Sequence, residues 1–260
     1  MPVDVAALAL RQLKDYDRHY PGLLFANPAF SLTLREAYDV QMQVAALRQQ
    51  RGEVVAGYKI GCVSESVRRQ LGLSAPVFGC IFENEFHHSG CILEAALYEG
   101  LAIEGEFAVR LAADTIAGPD YSGEQFPRAL SSVFPVIELH NYVFRSPRQA
   151  AQELVANNAI HAGVVLPFEQ PPLGKAEDLA DEEISVDING ERQGTAGGTL
   201  GKTLQANLLL LAEHLQSFGA TLRAGQTILT GSPLPLYRVK AGDRIKVRCR
   251  RLPEVAAAIV

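Results

Sequence analysis

The sequence predicts an α+β protein in which helices cover a β-rich core. Apolar residues recur at three- and four-residue steps within the first fifty positions, and this is the period of an amphipathic helix. Later segments alternate apolar and polar residues, which is the period of a strand. The chain has 260 residues, of which 48% are hydrophobic and 20% charged, so it can bury a sizeable core without disulfides.

Three helices are predicted from capping residues and apolar spacing. Thr33 and Glu36 have the spacing of a capping box, and they precede a helix that ends at Gly52. Ser146 is an N-cap residue followed by a proline, and it predicts a helix that continues to about Asn158. The third helix has an apolar stripe at alternating four- and three-residue steps: Leu204, Leu208, Leu211, Leu215 and Phe218.

Five strands are predicted from alternation or from short apolar runs. They cover residues 101–111, 133–139, 184–188, 228–230 and 245–249. The third precedes Asn189-Gly190, a dipeptide typical of a two-residue hairpin turn. No repeat, low-complexity tract or linker divides the chain, so residues 1–260 are predicted to form a single domain. Residues 1–55 are its mainly helical N-terminal segment, and residues 56–260 are its β-rich core.

Composition limits the partners and the cellular compartment. The net charge of -5 provides no basic surface for nucleic acid or for an anionic membrane, so a small molecule or a protein is the expected partner. The N-terminus lacks the features of a signal peptide, and no apolar run could span a bilayer, so we expect a cytoplasmic protein. Four cysteines at irregular spacing are predicted to be free thiols: Cys62, Cys80, Cys91 and Cys249.

Glutamates on two predicted strands are the first candidates for chemistry. Glu104 and Glu106 flank Gly105, so on a strand their side chains leave the same face, roughly 7 Å apart. An exposed strand face explains this pattern, and so does a divalent-cation site, because hard cations take oxygen ligands. Glu138 is a lone charge in an apolar run, where burial requires compensation. At this point both interpretations remain open.

One lysine and two histidines are further candidates. Lys59 is a lone charge between Gly57 and Gly61, which fits either a surface lysine or a site where the backbone approaches a ligand. His140 and His161 are predicted to be structural, because a histidine with satisfied hydrogen bonds is the commoner case.

Two other enzyme classes are disfavoured. Residues 196–203 nearly match the phosphate-binding loop of nucleotide-binding proteins, but the segment before them is polar and resembles a hairpin, whereas that loop follows a buried strand. The sequence also lacks the G-x-S-x-G motif of serine hydrolases, which removes the main argument for that class.

Several motifs together resemble one family. In chain order they are Gly57-Tyr58-Lys59-Ile60-Gly61, residues 71–79, Ile103-Glu104-Gly105-Glu106-Phe107, Val136-Ile137-Glu138 and Leu229-Thr230-Gly231-Ser232. From about residue 5 to its end, the chain resembles the 2-keto-4-pentenoate hydratases and their decarboxylase sisters in the fumarylacetoacetate hydrolase superfamily. The resemblance implies a rolled mixed sheet, Mg²⁺ or Mn²⁺ as cofactor, and a homo-oligomer. It also implies association with a pathway aldolase or decarboxylase.

The resemblance also implies roles for individual residues and a reaction. The expected metal ligands are Glu104, Glu106 and Glu138, the expected catalytic residue is Lys59, and the expected substrate contacts are Asn158 and Ser232. Residues 56–260 would then be the metal-binding core of a single catalytic domain. The implied reaction adds water to a 2-hydroxy-2,4-dienoate from aromatic catabolism, and its product is a 4-hydroxy-2-oxo acid.

Several positions depart from the family pattern around these residues. The substituted positions are Val77, Asn157, Ile160, His161, His140, Asn141 and Tyr142. The alternatives that share the metal chemistry are a decarboxylase of a 4-oxalocrotonate-type acid, an acylpyruvate hydrolase and a non-catalytic member of the fold.

Overall fold

A computed structural model describes residues 3–114, 129–172, 182–197 and 202–260. The helices are α1 (Val5–Asp17), α2 (Leu34–Gln50), α3 (Glu65–Leu71), α4 (Ala150–Ala156) and α5 (Lys202–Gln216). The strands of the first half are β1 (Val55–Gly61), β2 (Val77–Phe82), β3 (Phe86–His88), β4 (Cys91–Leu93), β5 (Leu101–Leu111) and β6 (Leu130–Asn141). Those of the second half are β7 (His161–Leu166), β8 (Glu183–Ile188), β9 (Glu191–Gly197), β10 (Thr227–Leu229), β11 (Tyr237–Arg238), β12 (Arg244–Cys249) and β13 (Val255–Ile259). Within these ranges, no helix is long and apolar enough to cross a bilayer.

Among the described residues, the larger of two sheets has eight strands and is curled. Its order is β2-β1-β10-β5-β6-β7-β3, and β11 pairs with part of β5. The β1–β10 and β3–β7 pairs are parallel, whereas the others are antiparallel. The predicted rolled mixed sheet and the α+β class are therefore confirmed.

A smaller, five-stranded sheet packs against the middle of the larger one. Its order is β4-β13-β12-β8-β9, and β8 and β9 are joined by the predicted hairpin turn. Asn189 and Gly190 both have positive φ there, as that turn requires. Gly105 of β5 lies at the contact between the sheets, because a Cβ atom there would be 2.6 Å from Val186 Cγ2 and 3.1 Å from Val247 Cγ2. The absence of a side chain at Gly105 therefore allows the close approach.

The N-terminal helices pack beside the curled sheet with α4. Thr33 caps α2 as predicted: its Oγ1 accepts from the Glu36 amide at 3.2 Å, and Glu36 Oε2 accepts from the Thr33 amide at 2.7 Å. A buried ion pair connects α2 to the short helical turn after β2, with Arg48 Nη1 2.8 Å from Glu85 Oε1. The Tyr16 hydroxyl of α1 donates to the same carboxylate oxygen at 2.9 Å.

The helix predicted from Ser146 begins four residues later. Ser146 lies in a turn, and α4 starts at Ala150. The Glu153 carboxylate explains the difference, because it accepts hydrogen bonds from the backbone amides of Arg145 and Ser146 at 2.8 Å. These bonds fold the preceding chain back onto the first turn of the helix, so the Ser146 N-cap prediction is wrong.

The segment that nearly matches a phosphate-binding loop is only partly described. Residues 198–201 lie outside the described residues. The strand before them, β9, is an exposed edge strand of the smaller sheet and pairs only with β8 among the described strands. A phosphate-binding loop would follow a buried strand, so the reason for disfavouring nucleotide binding stands.

Replacing Gly105 by alanine tests the contact between the sheets. We expect Gly105→Ala to lower the free energy of unfolding by about 1–3 kcal/mol, because the new methyl group overpacks against Val186. Urea denaturation measures this change, and Val186→Ala serves as the partner in a double-mutant cycle. The double variant should lose less stability than the sum of the single variants. Additive losses would contradict the proposed contact.

Candidate metal centre and active site

The register of two central strands brings the three predicted glutamates together. β5 and β6 are antiparallel, and Glu104 lies directly opposite Glu138. Glu106 is two residues along β5, so its side chain leaves the same face as Glu104. Glu106 is fully buried and Glu138 is 1% exposed, whereas Glu104 is partly exposed. An exposed strand face is therefore the wrong explanation for Glu106.

The carboxylate of Glu106 is buried without a partner. Neither of its oxygens has a hydrogen bond within the described part of the chain. Burial raises its pKa well above the usual range, and the charges of Glu138 and Glu104 raise the pKa further. A buried carboxylate of this kind is costly unless a positive charge compensates it, so the site fits a cation.

The carboxylate of Glu138, unlike that of Glu106, has close partners. Its Oε1 lies 3.3 Å from Lys59 Nζ and 2.8 Å from His161 Nδ1. Burial raises the pKa of this carboxyl, but Lys59, His140 and His161 together outweigh it, so the pKa lies below the usual range. Glu138 is therefore held ionised, and its second oxygen, Oε2, lies 3.5 Å from His140 Nε2.

Lys59 reaches this cluster from β1, and it is not a surface lysine. Its side chain is buried, with the residue 3% exposed. In the sheet, the short strand β10 lies between β1 and β5. Lys59 pairs with Leu229, the last residue of β10, so β10 ends beside Lys59. Burial lowers the pKa of the Lys59 ammonium, but the charges of Glu138, Glu104 and Glu106 outweigh it and raise the pKa. The side chain therefore remains a cation.

A left-handed turn closes the site behind Lys59. Asn158, Ala159 and Ile160 have φ angles of 56°, 51° and 55°, a conformation that costs roughly 1–2 kcal/mol for each such residue. The Asn158 amide compensates by bonding both backbone groups of Cys80 at 2.7 Å. Gly79 permits this approach, since a Cβ atom there would be 2.6 Å from the Asn158 carbonyl oxygen. The turn directs the Ala159 carbonyl to Lys59 Nζ at 3.4 Å.

The two neighbouring histidines were predicted to be structural, and the structure places both against Glu138. His161 bonds to Glu138, and its Nε2 lies 3.7 Å from Glu85 Oε2. His140 Nε2 lies 3.3 Å from Glu104 Oε2 and 3.5 Å from Glu138 Oε2. The available sequence signal was the two-residue spacing of His140 and Glu138, which places both side chains on one strand face.

A cavity of about 870 Å³ opens beside the cluster. Its polar end includes Lys59, Glu104, His140 and Ser232. Its walls are mainly apolar and include Leu71, Val77, Tyr142, Phe144, Leu154, Ile160, Leu234 and Leu236. The arrangement accommodates a molecule with one polar, metal-binding end and an apolar remainder.

The two predicted substrate contacts are placed differently. Ser232 lines the cavity, but its Oγ is bonded to the Gly105 carbonyl at 3.1 Å and to the Leu234 carbonyl at 2.9 Å. Asn158 is not among the residues that line this cavity, and its amide holds the left-handed turn. Substrate binding by these two residues stays a prediction.

The positions that depart from the family pattern fall into three groups. Val77, Ile160 and Tyr142 line the cavity, and His140 and His161 contact Glu138. The third group supports the surrounding backbone and the N-terminal helices. Asn141 accepts from the Glu99 amide at 2.9 Å, and Asn157 accepts from Gln12 of α1.

The donor set is chemically suited to a divalent cation. Carboxylate oxygens of Glu104 and Glu138 and a nitrogen of His140 lie within 4.8 Å of one another. The unpartnered carboxylate of Glu106 adds a further anionic group on the same face. Oxygen donors from carboxylates, with or without an imidazole, bind divalent cations from Mg²⁺ to the first-row transition metals.

Comparison with known proteins gives the same picture. The fumarylacetoacetate (FAA) hydrolase C-terminal family matches residues 66–260. A 2-hydroxyhexa-2,4-dienoate hydratase of Comamonas testosteroni is 32% identical over 82% of this chain and 81% of its own length. A 2-keto-4-pentenoate hydratase of Burkholderia vietnamiensis is 31% identical over 96% of this chain and 95% of its own length.

A solved structure extends the likeness to the whole fold. The 4-oxalocrotonate decarboxylase from Pseudomonas putida G7, complexed with magnesium and adipate, superposes with a TM-score of 0.87 at 26% identity. The match covers 98% of this chain and 97% of the decarboxylase. The curled sheet, the smaller sheet and the N-terminal helices are therefore shared with an enzyme that holds a divalent metal.

Replacing Glu106 by glutamine tests the cost of its buried charge. Because the pKa of Glu106 is raised in the folded state, its contribution to metal-free stability is lost as pH rises above the unfolded value near 4.5. In EDTA, Glu106→Gln should therefore gain stability relative to the parent between pH 5 and pH 8, by about 1–3 kcal/mol. Thermal and urea unfolding at both pH values measure the difference.

The partly exposed Glu104 provides the matched control: in EDTA, Glu104→Gln should stabilise the protein less than Glu106→Gln does, because the Glu104 carboxylate keeps contact with solvent. Added Mn²⁺ should raise the melting temperature of the parent and raise that of Glu106→Gln much less. Equal stabilisation of the two proteins by Mn²⁺ would remove Glu106 from the cation site.

Proposed function

The chain belongs to the fumarylacetoacetate hydrolase family, and from that premise we propose that it is a divalent-metal-dependent hydro-lyase. Its proposed substrate is a 2-hydroxy-2,4-dienoate, and its proposed product is a 4-hydroxy-2-oxo acid. The observation that carries the proposal is the clustering of Glu104, Glu106, Glu138 and Lys59, because Glu104 and Lys59 of this cluster line a cavity with mainly apolar walls. Hydratase relatives that align with most of the chain support the same reaction.

The proposed cofactor is Mg²⁺ or Mn²⁺, held by Glu104, Glu106 and Glu138. Such a cation would supply Lewis-acid chemistry, since it would offset the negative charge of a bound 2-oxo acid and of the enolate that develops during the reaction. The three glutamates supply the negative charge that retains the cation. Lys59 and His161 keep Glu138 ionised and oriented, because both contact its Oε1.

Lys59 is the proposed catalytic residue. Its ammonium carries three protons, and it is held between Glu138 Oε1 at 3.3 Å and the Ala159 carbonyl at 3.4 Å. From this position it can place positive charge beside the developing enolate and move a proton to or from substrate carbon. Ketonisation of the dienol gives a conjugated enone, to which water adds at carbon 4.

The apolar walls of the cavity fit the hydrocarbon part of a dienoate. Val77 and Ile160 occupy positions where the resemblance leads us to expect polar residues, and both line the cavity. These substitutions remove hydrogen-bonding groups from the wall and favour an uncharged substituent. Ser232 and Asn158 remain proposed substrate contacts. The side chain of each also bonds a backbone carbonyl, so we expect both residues to hold the backbone beside the substrate in place.

Decarboxylation of a 4-oxalocrotonate-type acid is the second candidate. It shares the binding of a 2-oxo acid, and the superposed decarboxylase carries magnesium together with adipate, a dicarboxylate. Arg238 lies at the cavity wall, with its guanidinium 4.6 Å from the centre of the Tyr142 ring, and this cation would suit a distal carboxylate. An acylpyruvate hydrolase and a non-catalytic protein are weaker alternatives, since the relatives that align with most of this chain at 26% to 32% identity are hydratases and a decarboxylase.

The proposal extends to the setting of the enzyme. We place residues 1–260 in a single catalytic domain, because α1 and α2 pack with α4 and bond to residues beside the site. The family resemblance supports a homo-oligomer that acts in aromatic catabolism in the cytoplasm, in contact with a pathway aldolase or decarboxylase. Sedimentation analysis of the purified chain measures the oligomeric state.

Two substrates distinguish the leading reactions. With Mg²⁺ or Mn²⁺ present, 2-hydroxypenta-2,4-dienoate should be consumed and 4-hydroxy-2-oxopentanoate formed, as followed by ultraviolet absorbance and mass spectrometry. Release of CO₂ from 4-oxalocrotonate, without hydration of the dienoate, would assign the decarboxylase reaction instead. If the protein binds the metal but turns over neither substrate, the proposed function is wrong.

Replacing Lys59 by methionine tests its catalytic role. Lys59→Met keeps most of the apolar stem and removes the ammonium, so kcat should fall roughly 10²- to 10⁴-fold. Calorimetry with Mn²⁺ should show that metal binding is largely retained. Lys246→Met, which removes an exposed lysine from the smaller sheet, should leave kcat unchanged. A Lys59→Met variant with nearly full kcat would exclude the proposed role.

A further inference from the structure

His140 lies among the proposed metal ligands, but neither the family pattern nor the predicted reaction requires it. It is on β6, two residues after Glu138, so the two side chains leave the same strand face. Its partner across the strand pair is the small residue Ala102, which leaves the imidazole room beside Glu104. The residue is 1% exposed, so its ring nitrogens are shielded from bulk water.

The contacts of the ring do not satisfy its nitrogens. Nε2 lies 3.3 Å from Glu104 Oε2 and 3.5 Å from Glu138 Oε2, but neither approach has the geometry of a hydrogen bond. Among the described residues, neither Nε2 nor Nδ1 has a hydrogen-bond partner. A buried imidazole without a partner is costly, so its arrangement calls for a group that accepts its lone pair or its proton.

Two distances between donor atoms match those of ligands around one cation. Metal–ligand bonds of about 2.0–2.2 Å place neighbouring ligand atoms roughly 3.0–3.5 Å apart. The distances from His140 Nε2 to the two carboxylate oxygens fall at 3.3 and 3.5 Å. The oxygens of Glu138 are also divided between two tasks: Oε1 is engaged by Lys59 and His161, and Oε2 faces His140.

We infer that His140 is a nitrogen ligand of the divalent cation, so that the centre combines carboxylate oxygens with one imidazole. This inference rests on the metal centre of the proposed function, and it predicts which metal ions that centre prefers. Imidazole binds first-row transition ions better than it binds Mg²⁺, which prefers oxygen ligands alone. The centre should therefore favour Co²⁺ over Mg²⁺ more strongly than a site made only of carboxylates.

The competing explanation makes His140 a protonated partner of the carboxylates. In that case its removal deletes a positive charge and should strengthen the binding of Mg²⁺ and Co²⁺ alike. His161 is placed differently, because its Nδ1 is bonded to Glu138 and its unpartnered Nε2 faces Glu85, which is not among the proposed ligands. It therefore provides a matched control within the site.

Pulsed electron paramagnetic resonance on the Mn²⁺-loaded protein tests the inference directly, because Mn²⁺ binds carboxylate sites with or without a nitrogen ligand. The parent protein should show ¹⁴N coupling from a bound imidazole. His140→Val should lose the coupling and His161→Ser should keep it, with circular dichroism confirming that both variants are folded. Absence of ¹⁴N coupling in the parent, or its persistence in His140→Val, would overturn the inference.

Calorimetric titrations with Mg²⁺ and Co²⁺ provide the second readout. In His140→Val the Co²⁺ affinity should fall at least tenfold, whereas the Mg²⁺ affinity should change less than threefold. An equal change for the two ions would support the charged-histidine explanation and contradict nitrogen ligation.

Failure of this inference can be distinguished from failure of the proposed function. Hydratase turnover with no ¹⁴N coupling would retain the function and remove His140 as a ligand. Clear ¹⁴N coupling with no turnover of either substrate would retain the ligand and remove the function.

Discussion

The grouping of three carboxylates on two adjacent strands, two of them buried, is the constraint on which the rest of this structure depends. Glu104 lies opposite Glu138, and Glu106 is fully buried without a partner, so the fold concentrates like charges where water cannot screen them. Lys59 and His161 compensate Glu138, but the surroundings of Glu106 need a further cation. Other local features serve this cluster: β10 is short enough for Lys59 to reach it, and the left-handed turn after Asn157 provides a carbonyl for Lys59.

The sequence predicts local features of this arrangement well, because they depend on short-range periodicity. Alternation along 101–111 places Glu104 and Glu106 on one face, and the capping box begins α2 at the predicted position. The register that sets Glu138 opposite Glu104 depends on contacts across more than thirty residues. Local sequence patterns do not determine this register, so before the structure only the family resemblance linked the three glutamates. The predicted helix start at Ser146 is wrong for a similar reason. The Glu153 carboxylate accepts hydrogen bonds from the backbone amides of Arg145 and Ser146, which precede it by several residues in the chain.

The role of His140 was missed because single residues of this kind are usually structural. Only the folded chain shows that Nε2 lies beside two carboxylates and that both ring nitrogens lack partners among the described residues. The resemblance to the family separates the features that this chain shares with it from those that distinguish this chain. The glutamates and Lys59 agree with the family motifs, whereas Val77, Ile160 and His140 change the cavity wall and the donor set. We therefore expect specificity for substrate and metal to depend on a few side chains around a shared centre.

A crystal structure of the Mn²⁺-loaded protein, with anomalous diffraction measured at the manganese edge, tests the central claim most directly. Our account predicts one strong anomalous peak between β5 and β6, at coordination distance of about 2.0–2.4 Å from carboxylate oxygens of Glu104, Glu106 and Glu138. A peak elsewhere in the molecule, or a well-ordered site without a peak in crystals saturated with Mn²⁺, would contradict it. The buried carboxylates would then require another explanation.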